Sequence, residues 1–460
     1  MIPSDFDTIA AISTPIGEGG IGIIRISGPE AISVAKKIFF SPKVKDLHKV
    51  NSHTIHYGFI IDPDNGEKID EVLLTIMRAP NTYTREDVVE INCHGGLIVL
   101  NRILEILTKQ GVRIAEPGEF TKRAFLKGRI DLSQAESVID LIRAKTEDAQ
   151  KIALEHLSGK LSEKINSLRD LLTRVCAHVE AYIDFPEEDI DGLTEREIEK
   201  EISFVIEEIE KLVEGYKEGK IYREGLSTAI VGKPNVGKSS LLNALLMKNR
   251  AIVTEIPGTT RDIIEEYINI KGIPLKIIDT AGIRHAGDLV EAEGIKRTLQ
   301  AVEYAELVLL VLDSSTNLDA LDFEIIEKIG NKRMILIINK KDIKSEYFSI
   351  PHELKNKPAV EISALTGEGI EELKETIYKT VISGKYRKDG LVVTKLRHKQ
   401  ALENANEALR NALQSMKEGK PLEITAMFLR DALSFLGQIV GIVTTEEILE
   451  LIFSEFCIGK

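Results

Sequence analysis

The 460-residue sequence predicts a multidomain protein built of α/β and α parts. An N-terminal α/β domain comes first, then a discontinuous helical domain, interrupted by a second α/β domain with a mostly parallel sheet. Three observations predict this. Residues 1–119 alternate short β-like runs, such as "IGIIRISG" and "DVVEINCHGG", with helical stretches and Gly, Pro and Asn turns. Residues 120–219 and 382–460 carry apolar residues at spacings of three and four among charges, the amphipathic helix pattern. Residues 220–381 hold near-continuously apolar runs, "LSTAIVG", "LKIIDT", "AELVLLVLD" and "RMILIINK", which read as buried parallel strands separated by helices.

A chain of this length exceeds what one hydrophobic core serves. The two helical segments flank residues 220–381, so the second α/β domain reads as an insertion, tolerated because the ends of a compact domain lie close together. The formal net charge of −13 excludes a general polyanion binder; any nucleic-acid contact must be local. The start, "MIPSDFDTIA", places two aspartates where a secretory signal needs basic residues, and no apolar run approaches the roughly 18 residues of a membrane span. Cys93, Cys176 and Cys457 are odd in number and form no Cys-x-x-Cys pair, which argues against a disulfide framework or a zinc site. A cytoplasmic setting is expected.

"GKPNVGKS", Gly232 to Ser239, follows an apolar strand and opens a helical pattern, the context of a phosphate-binding loop. Backbone N–H groups from Asn235, Val236, Gly237 and the residues up to Ser240 converge on phosphate oxygens, Lys238 bridges the β and γ phosphates, and the Ser239 hydroxyl ligates magnesium. "DTAG" follows a second strand, with Asp279 reaching magnesium through water and Gly282 meeting the γ phosphate, alongside Thr280 and Ala281. In "NKKD", Asp342 accepts two hydrogen bonds from guanine N1–H and the exocyclic amine while the stem of Lys340 covers the ring, next to Asn339 and Lys341. Adenine lacks that donor pair, so the unpaired carboxylate excludes ATP. "SAL", Ser363, Ala364 and Leu365, supplies the backbone contact to the guanine carbonyl.

These elements in order predict a Ras-like P-loop domain that binds GTP. Between the first two lies "TEIPGTTRD", whose Thr254, Glu255, Ile256, Pro257, Gly258, Thr259 and Thr260 form a switch loop, with Thr260 the natural second magnesium ligand. Ras-like GTPases place a water-orienting glutamine after "DTAG"; this chain has Ile283. Arg284, His285, Glu291 and Glu293 are the nearby polar candidates, and the residues alone do not choose among them.

"DTIAAISTPIGEGGIGIIRISGP", "APNTYTREDVVEINCHGG", "EPGEFTKRAFLKGRIDLSQAESVIDLI", "PGTTRD" and the terminal "CIGK" together resemble the MnmE, or TrmE, family of tRNA-modification GTPases, essentially end to end. The resemblance implies a homodimer that joins the FAD-dependent partner MnmG in a heterotetramer. That complex adds an aminomethyl or carboxymethylaminomethyl group to carbon 5 of the wobble uridine of certain tRNAs. Methylene- or formyl-tetrahydrofolate supplies the one-carbon unit, and FAD enters only through the partner. It further implies hydrolysis driven by potassium-dependent dimerisation of the G domains. Asn235, Thr254, Ile256 and Thr259 match the potassium site, and Glu291 the residue that orients the attacking water. Arg25, Glu90, Arg129 and Lys460 match folate contacts, with lysine in relatives at the Arg129 position. Cys457 matches a terminal motif implicated in the modification. For tRNA, "TKRAFLKGR" and "TKLRHK" gather cations, although a solvated helix face reads as well.

The competing readings are a switch GTPase of ribosome assembly or signalling without covalent chemistry, and a folate-dependent transferase with a merely regulatory GTPase domain. Cys93 and His94 are adjacent on a strand and so point to opposite faces, which argues against a nucleophile–base pair. Cys457 has the layout of a prenylation box, but Gly459 occupies a position that wants an aliphatic residue. The apolar run "EEILELIF" predicts a packed helix that anchors the tail and aims it inward.

Overall fold

A computed structural model describes residues 7–185, 193–249, 266–278, 300–382 and 391–460. The N-terminal strands are β1 (Ile9–Ile12), β2 (Gly19–Ser27), β3 (Phe39–Phe40), β4 (Thr54–Ile61), β5 (Lys68–Met77), β6 (Val88–Gly95) and β7 (Arg113–Ile114). They form one seven-stranded sheet in the order β3-β4-β5-β6-β2-β1-β7. All its pairs are antiparallel except β1 with β7. Short connections such as that between β4 and β5 allow only antiparallel neighbours, because a parallel return needs a crossover. Helices α1 (Ala31–Ile38) and α2 (Leu97–Lys109) cover one face of this sheet, and Ile24, Leu74, Ile91, Ile103 and Leu107 share the core between.

Helices α3 (Glu119–Leu126), α4 (Leu132–Arg143), α5 (Glu147–Leu157), α6 (Lys160–Asp184) and α7 (Glu195–Glu224) follow. Capping boxes start α4, through Asp131 and Gln134, and α7, through Thr194 and Glu197, each satisfying N–H groups that the first helical turn leaves orphaned. Near the C-terminus come α11 (Leu396–Lys417), α12 (Leu422–Val440) and α13 (Glu446–Ser454). Leu168 and Leu172 of α6, Ile202 and Ile209 of α7, Leu402 and Leu409 of α11, and Leu429 and Leu436 of α12 belong to one buried core. The helical domain is therefore a single bundle assembled from both chain segments.

The inserted domain contains β8 (Leu226–Val231), α8 (Lys238–Asn249), β9 (Glu266–Ile270), β10 (Ile273–Ile277), β11 (Leu307–Asp313), α9 (Ala320–Ile329), β12 (Met334–Asn339), β13 (Ala359–Glu361) and α10 (Ile370–Val381). Its six strands run β13-β12-β11-β8-β10-β9, all parallel to their neighbours except β9, which pairs with β10 in a hairpin. Strands β11 and β12 are buried at every position, as apolar runs packed on both faces require. Helix α7 runs directly into β8 through Gly225, which has φ +83°.

Candidate functional site

Two sites lie in different domains. The first is the loop between β8 and α8. Gly232 has φ +152°, and a methyl added to it would fall 2.4 Å from the Val311 carbonyl oxygen. At Gly237, φ is +97° and a methyl would meet Asn339 Nδ2 at 2.2 Å. Only glycine tolerates both constraints, so the backbone is free to turn its N–H groups inward. Asn235 is itself left-handed, at φ +63°.

Lys238 Nζ donates to the carbonyls of Gly232 and Lys233, both at 2.8 Å. Burial pushes its ammonium down to about 8; an adjacent phosphate reverses that shift by favouring the charged form. Asn339 fastens three loops together, its Nδ2 donating to Val236 O at 2.8 Å and its Oδ1 accepting from Ala364 N at 2.9 Å. Lys340 adopts φ +64° and pairs with Asp313 at 2.6 Å, while Lys341 and Asp342 stand exposed in the following turn. The hydroxyl of buried Ser363 accepts from Thr366 N, closing the tight "SAL" turn that leaves Leu365 exposed.

Sequence reasoning missed one strut of this site. Lys233 Nζ reaches Asp319 and Asp322, each at 2.9 Å, and ties the phosphate loop to the start of α9. Thr254, Glu255, Ile256, Pro257, Gly258, Thr259, Thr260, Asp279, Thr280, Ala281, Gly282 and Glu291 lie outside the described residues.

The second site is a cavity of about 450 Å³ lined by Arg25, Met77, Tyr83, Val88, Glu90, Arg129, Ile130, Val138, Leu157 and Lys460. Arg25 on β2 and Glu90 on β6 are direct partners in the antiparallel register, and the guanidinium holds the carboxylate at 2.8 Å. Tyr83, which no motif singled out, lies between two cations: the Arg25 guanidinium is 5.8 Å and that of Arg129 4.8 Å from its ring centre. Its hydroxyl bonds Thr121 Oγ1 at 2.9 Å, fixing the ring.

Lys460, the last residue in the sequence, reaches this cavity although the bundle and inserted domain separate it from the first strands in the chain. Phe453 and Phe456 pack with Leu132, Ala135 and Ile139 of α4 and so anchor the tail. Ser13 Oγ then donates to Gly459 O at 3.2 Å. Burial and the nearby Arg25 lower the Lys460 ammonium from its ordinary value. Three cations face one carboxylate here, so the cavity favours an anionic ligand. Its Tyr83 wall offers a planar group a stacking surface.

The other sequence candidates fall elsewhere. Cys457 is exposed and outside the cavity lining. Cys93 is buried, its thiol donating to Gly22 O at 3.3 Å and pushed up to about 11 by burial. His94 pairs with Asp70 on the exposed face of the sheet. Arg123 is spent in a buried network with Asp7, Glu86 and Glu119. In "TKLRHK", Lys395 pairs with Asp140 at 3.5 Å, while Arg397 and His398 both bind buried Glu136. Lys395 and Arg397 are thus turned inward and the His398 ring is buried, while the partly exposed Lys399 pairs with Glu403 at 3.0 Å on its own helix. Among the described residues, no cluster of three His, Cys, Asp or Glu side chains is arranged to hold a metal, and no helix is long and apolar enough to cross a membrane.

The glycine-shaped loop at the mouth of a parallel sheet, with its Asn339-linked base loop, defines a P-loop GTPase domain set into a helical bundle. Residues 8–129 match the family model described as the GTP-binding protein TrmE N-terminus, and residues 132–457 match that of the MnmE helical domain. The tRNA modification GTPase MnmE of Thermoanaerobacter pseudethanolicus is 51% identical over 459 residues, covering 99% of this chain and 100% of that protein. The Clostridioides difficile protein of the same name is 51% identical over 457 residues, covering 99% of each. The G domain of the Thermotoga maritima FeoB transporter aligns at 28% identity with a TM-score of 0.25, over 34% of this chain and 99% of that one. The chain belongs to the MnmE family, and it is a GTPase acting in tRNA modification.

Proposed function

We propose that this GTPase, together with an FAD-dependent MnmG partner, adds an aminomethyl or carboxymethylaminomethyl group to carbon 5 of the wobble uridine of certain tRNAs. The observation that carries this reading is the meeting of Lys460 with Arg25, Glu90 and Arg129 around one cavity. A tetrahydrofolate bound there supplies the one-carbon unit. Glu90 suits the N–H donors of a pterin ring, Tyr83 stacks on its face, and Arg129 and Lys460 hold its carboxylates. Cys457 lies three residues before Lys460 and stands exposed at the tail. From there it serves the modification chemistry on the tRNA side.

In the G domain, Lys238 and the loop backbone hold the GTP phosphates, and Asp342 selects guanine. Ser239 and Thr260 are the residues that would hold magnesium. Asn235, Thr254, Ile256 and Thr259 are the residues that would hold potassium when two G domains of a homodimer meet; the ion would supply positive charge against that developing on the phosphates. Glu291 orients the attacking water.

Mass analysis of wobble uridine from cells lacking the gene tests the whole reading: the modification is absent and returns with the wild-type gene, whereas unaltered uridine chemistry overturns it. Replacing potassium by sodium tests the hydrolysis reading. GTP turnover is expected to fall by about a hundredfold, the lower end for loss of one transition-state charge contact, and an unchanged rate removes potassium from the scheme.

A further inference from the structure

The loop between β8 and α8 is held from two sides. Asn339 fixes its later half, donating to Val236 O at 2.8 Å and packing against Gly237. Lys233 fixes its earlier half, with Nζ 2.9 Å from a carboxylate oxygen of Asp319 and 2.9 Å from one of Asp322. Between the two anchors stand only Pro234 and Asn235, both exposed. The ring of Pro234 sets its own φ. Asn235 is left-handed at φ +63°, a conformation that a residue with a side chain holds only where its surroundings impose it.

The far end of this strut is itself fastened. Asp319 caps α9, its Oδ1 accepting from the N–H groups of Leu321 and Asp322, which leaves Oδ2 for Lys233. Asp322 Oδ2 accepts from Asp319 N at 3.1 Å and from the Lys233 ammonium, so one atom closes the capping box and receives the strut. Asp322 is 1% exposed, and its Oδ1 is buried without a hydrogen-bond partner among the described residues. A buried ion pair with an acceptor left over adds little net stability, so the pair is better explained by where it holds the loop. What it holds is specific. The Lys233 carbonyl, with that of Gly232, accepts from the Lys238 ammonium at 2.8 Å, so the Lys233 side chain fixes the seat of Lys238.

We propose that Lys233 is a positioning residue for nucleotide capture: anchored on the cap of α9, it keeps the loop in its phosphate-binding shape before the nucleotide arrives. Without the anchor the loop samples other shapes, and capture proceeds only from the competent fraction. That Lys238 meets the phosphates rests on the function proposed above.

Stopped-flow binding of fluorescent methylanthraniloyl-GDP to the full-length protein tests the proposal. Lys233→Met combined with Asp322→Asn removes the strut without stranding a buried charge and keeps an acceptor for Asp319 N. It also leaves the net charge unaltered, so the attraction that draws the nucleotide in stays the same. The association rate per binding-competent site is expected to fall about tenfold, as when a tenth of the loops are competent, with dissociation within about twofold of wild type. The melting temperature without nucleotide changes little. Lys233→Arg, which still pairs with both carboxylates, keeps the wild-type association rate. An unchanged rate in the double variant, or a lower melting temperature with the rate per site intact, overturns the proposal, as does a fall in Lys233→Arg as deep as in the double variant. Lys238→Ala is measured alongside: wild-type affinity there sinks the phosphate contact of Lys238, and the association rate of the double variant still decides the strut.

Discussion

Gly459 lies so close to Ile12 that a methyl added to it would sit 2.3 Å from the Ile12 carbonyl oxygen. With φ +95° it also holds a backbone conformation that disfavours any side chain. The last turn of the chain is thus fitted to β1, and the fit aims Lys460 into the cavity. Gly459→Ala is expected to weaken 5-formyltetrahydrofolate binding about tenfold, the scale of one misplaced charged contact. GTP hydrolysis and thermal stability change little, because the tail ends beyond the Phe453–Phe456 anchor. Equilibrium dialysis with the labelled folate checks this; wild-type affinity in the variant would show that the tail does not set the site.

Cys457 is the one exposed thiol of the three in the chain. Cys457→Ser keeps the size of the side chain and removes a nucleophile, so wobble uridine modification is expected to vanish while GTP turnover stays at the wild-type rate. Analysis of tRNA nucleosides together with phosphate release reads both. Normal modification in the serine variant would assign the thiol to packing alone.

The nucleotide site was legible because its chemistry is written at short spacing. Gly232, Gly237 and Lys238 lie within one loop, and the turns of that loop are set by its own backbone. The cavity was legible only through the family likeness: Arg25 and Glu90 lie 65 residues apart and meet across a strand pair whose register no local pattern reveals. Tyr83 stayed hidden, since an aromatic in a turn carries no spacing signal. "TKLRHK" misled for a related reason. The carboxylate of Glu136 that turns Arg397 inward lies 261 residues away. The bundle itself needed the structure, because amphipathic periodicity shows that helices have an apolar face and not which faces meet.

Asp342 stands exposed in the turn after β12, which Lys340 opens with a left-handed backbone. A carboxylate there accepts from both the N1–H and the amine of guanine. Asp342→Asn turns one acceptor into a donor, which suits xanthine, whose ring carries a carbonyl in place of that amine. Loss of a charged hydrogen bond costs about 2 kcal/mol, or roughly thirtyfold in affinity. The variant is therefore expected to bind GTP that much more weakly and to hydrolyse xanthosine triphosphate in its place. Competition between the two nucleotides checks it, and an undiminished preference for GTP would move base recognition elsewhere.

The buried pair of Glu136 and His398 makes stability depend on pH in a stated direction. Burial pushes the His398 imidazole down to about 4, against the pull of the Glu136 carboxylate. Its Nε2 faces Glu136, and its buried Nδ1 has no hydrogen-bond partner, so a second N–H would be stranded there. Burial alone would raise the Glu136 carboxyl, but His398, Arg397 and Lys395 together hold it far below the usual carboxylate range. Between the unfolded value of about 6.5 and the folded value of about 4, the unfolded chain binds a proton at His398 that the folded chain does not. Stability attributable to this residue is thus complete above pH 6.5 and lost as the pH falls, by at most about 1.4 kcal/mol per pH unit. The contribution of Glu136 is present above its unfolded value near 4.5 and is lost only under stronger acid. Urea titrations across this range are expected to show His398→Gln with a flatter pH dependence than the wild type. At neutral pH, Glu136→Ala loses about 3 kcal/mol, the cost of breaking a buried ion pair from one side. Parallel pH curves for His398→Gln and the wild type would mean that the imidazole is already charged in the fold.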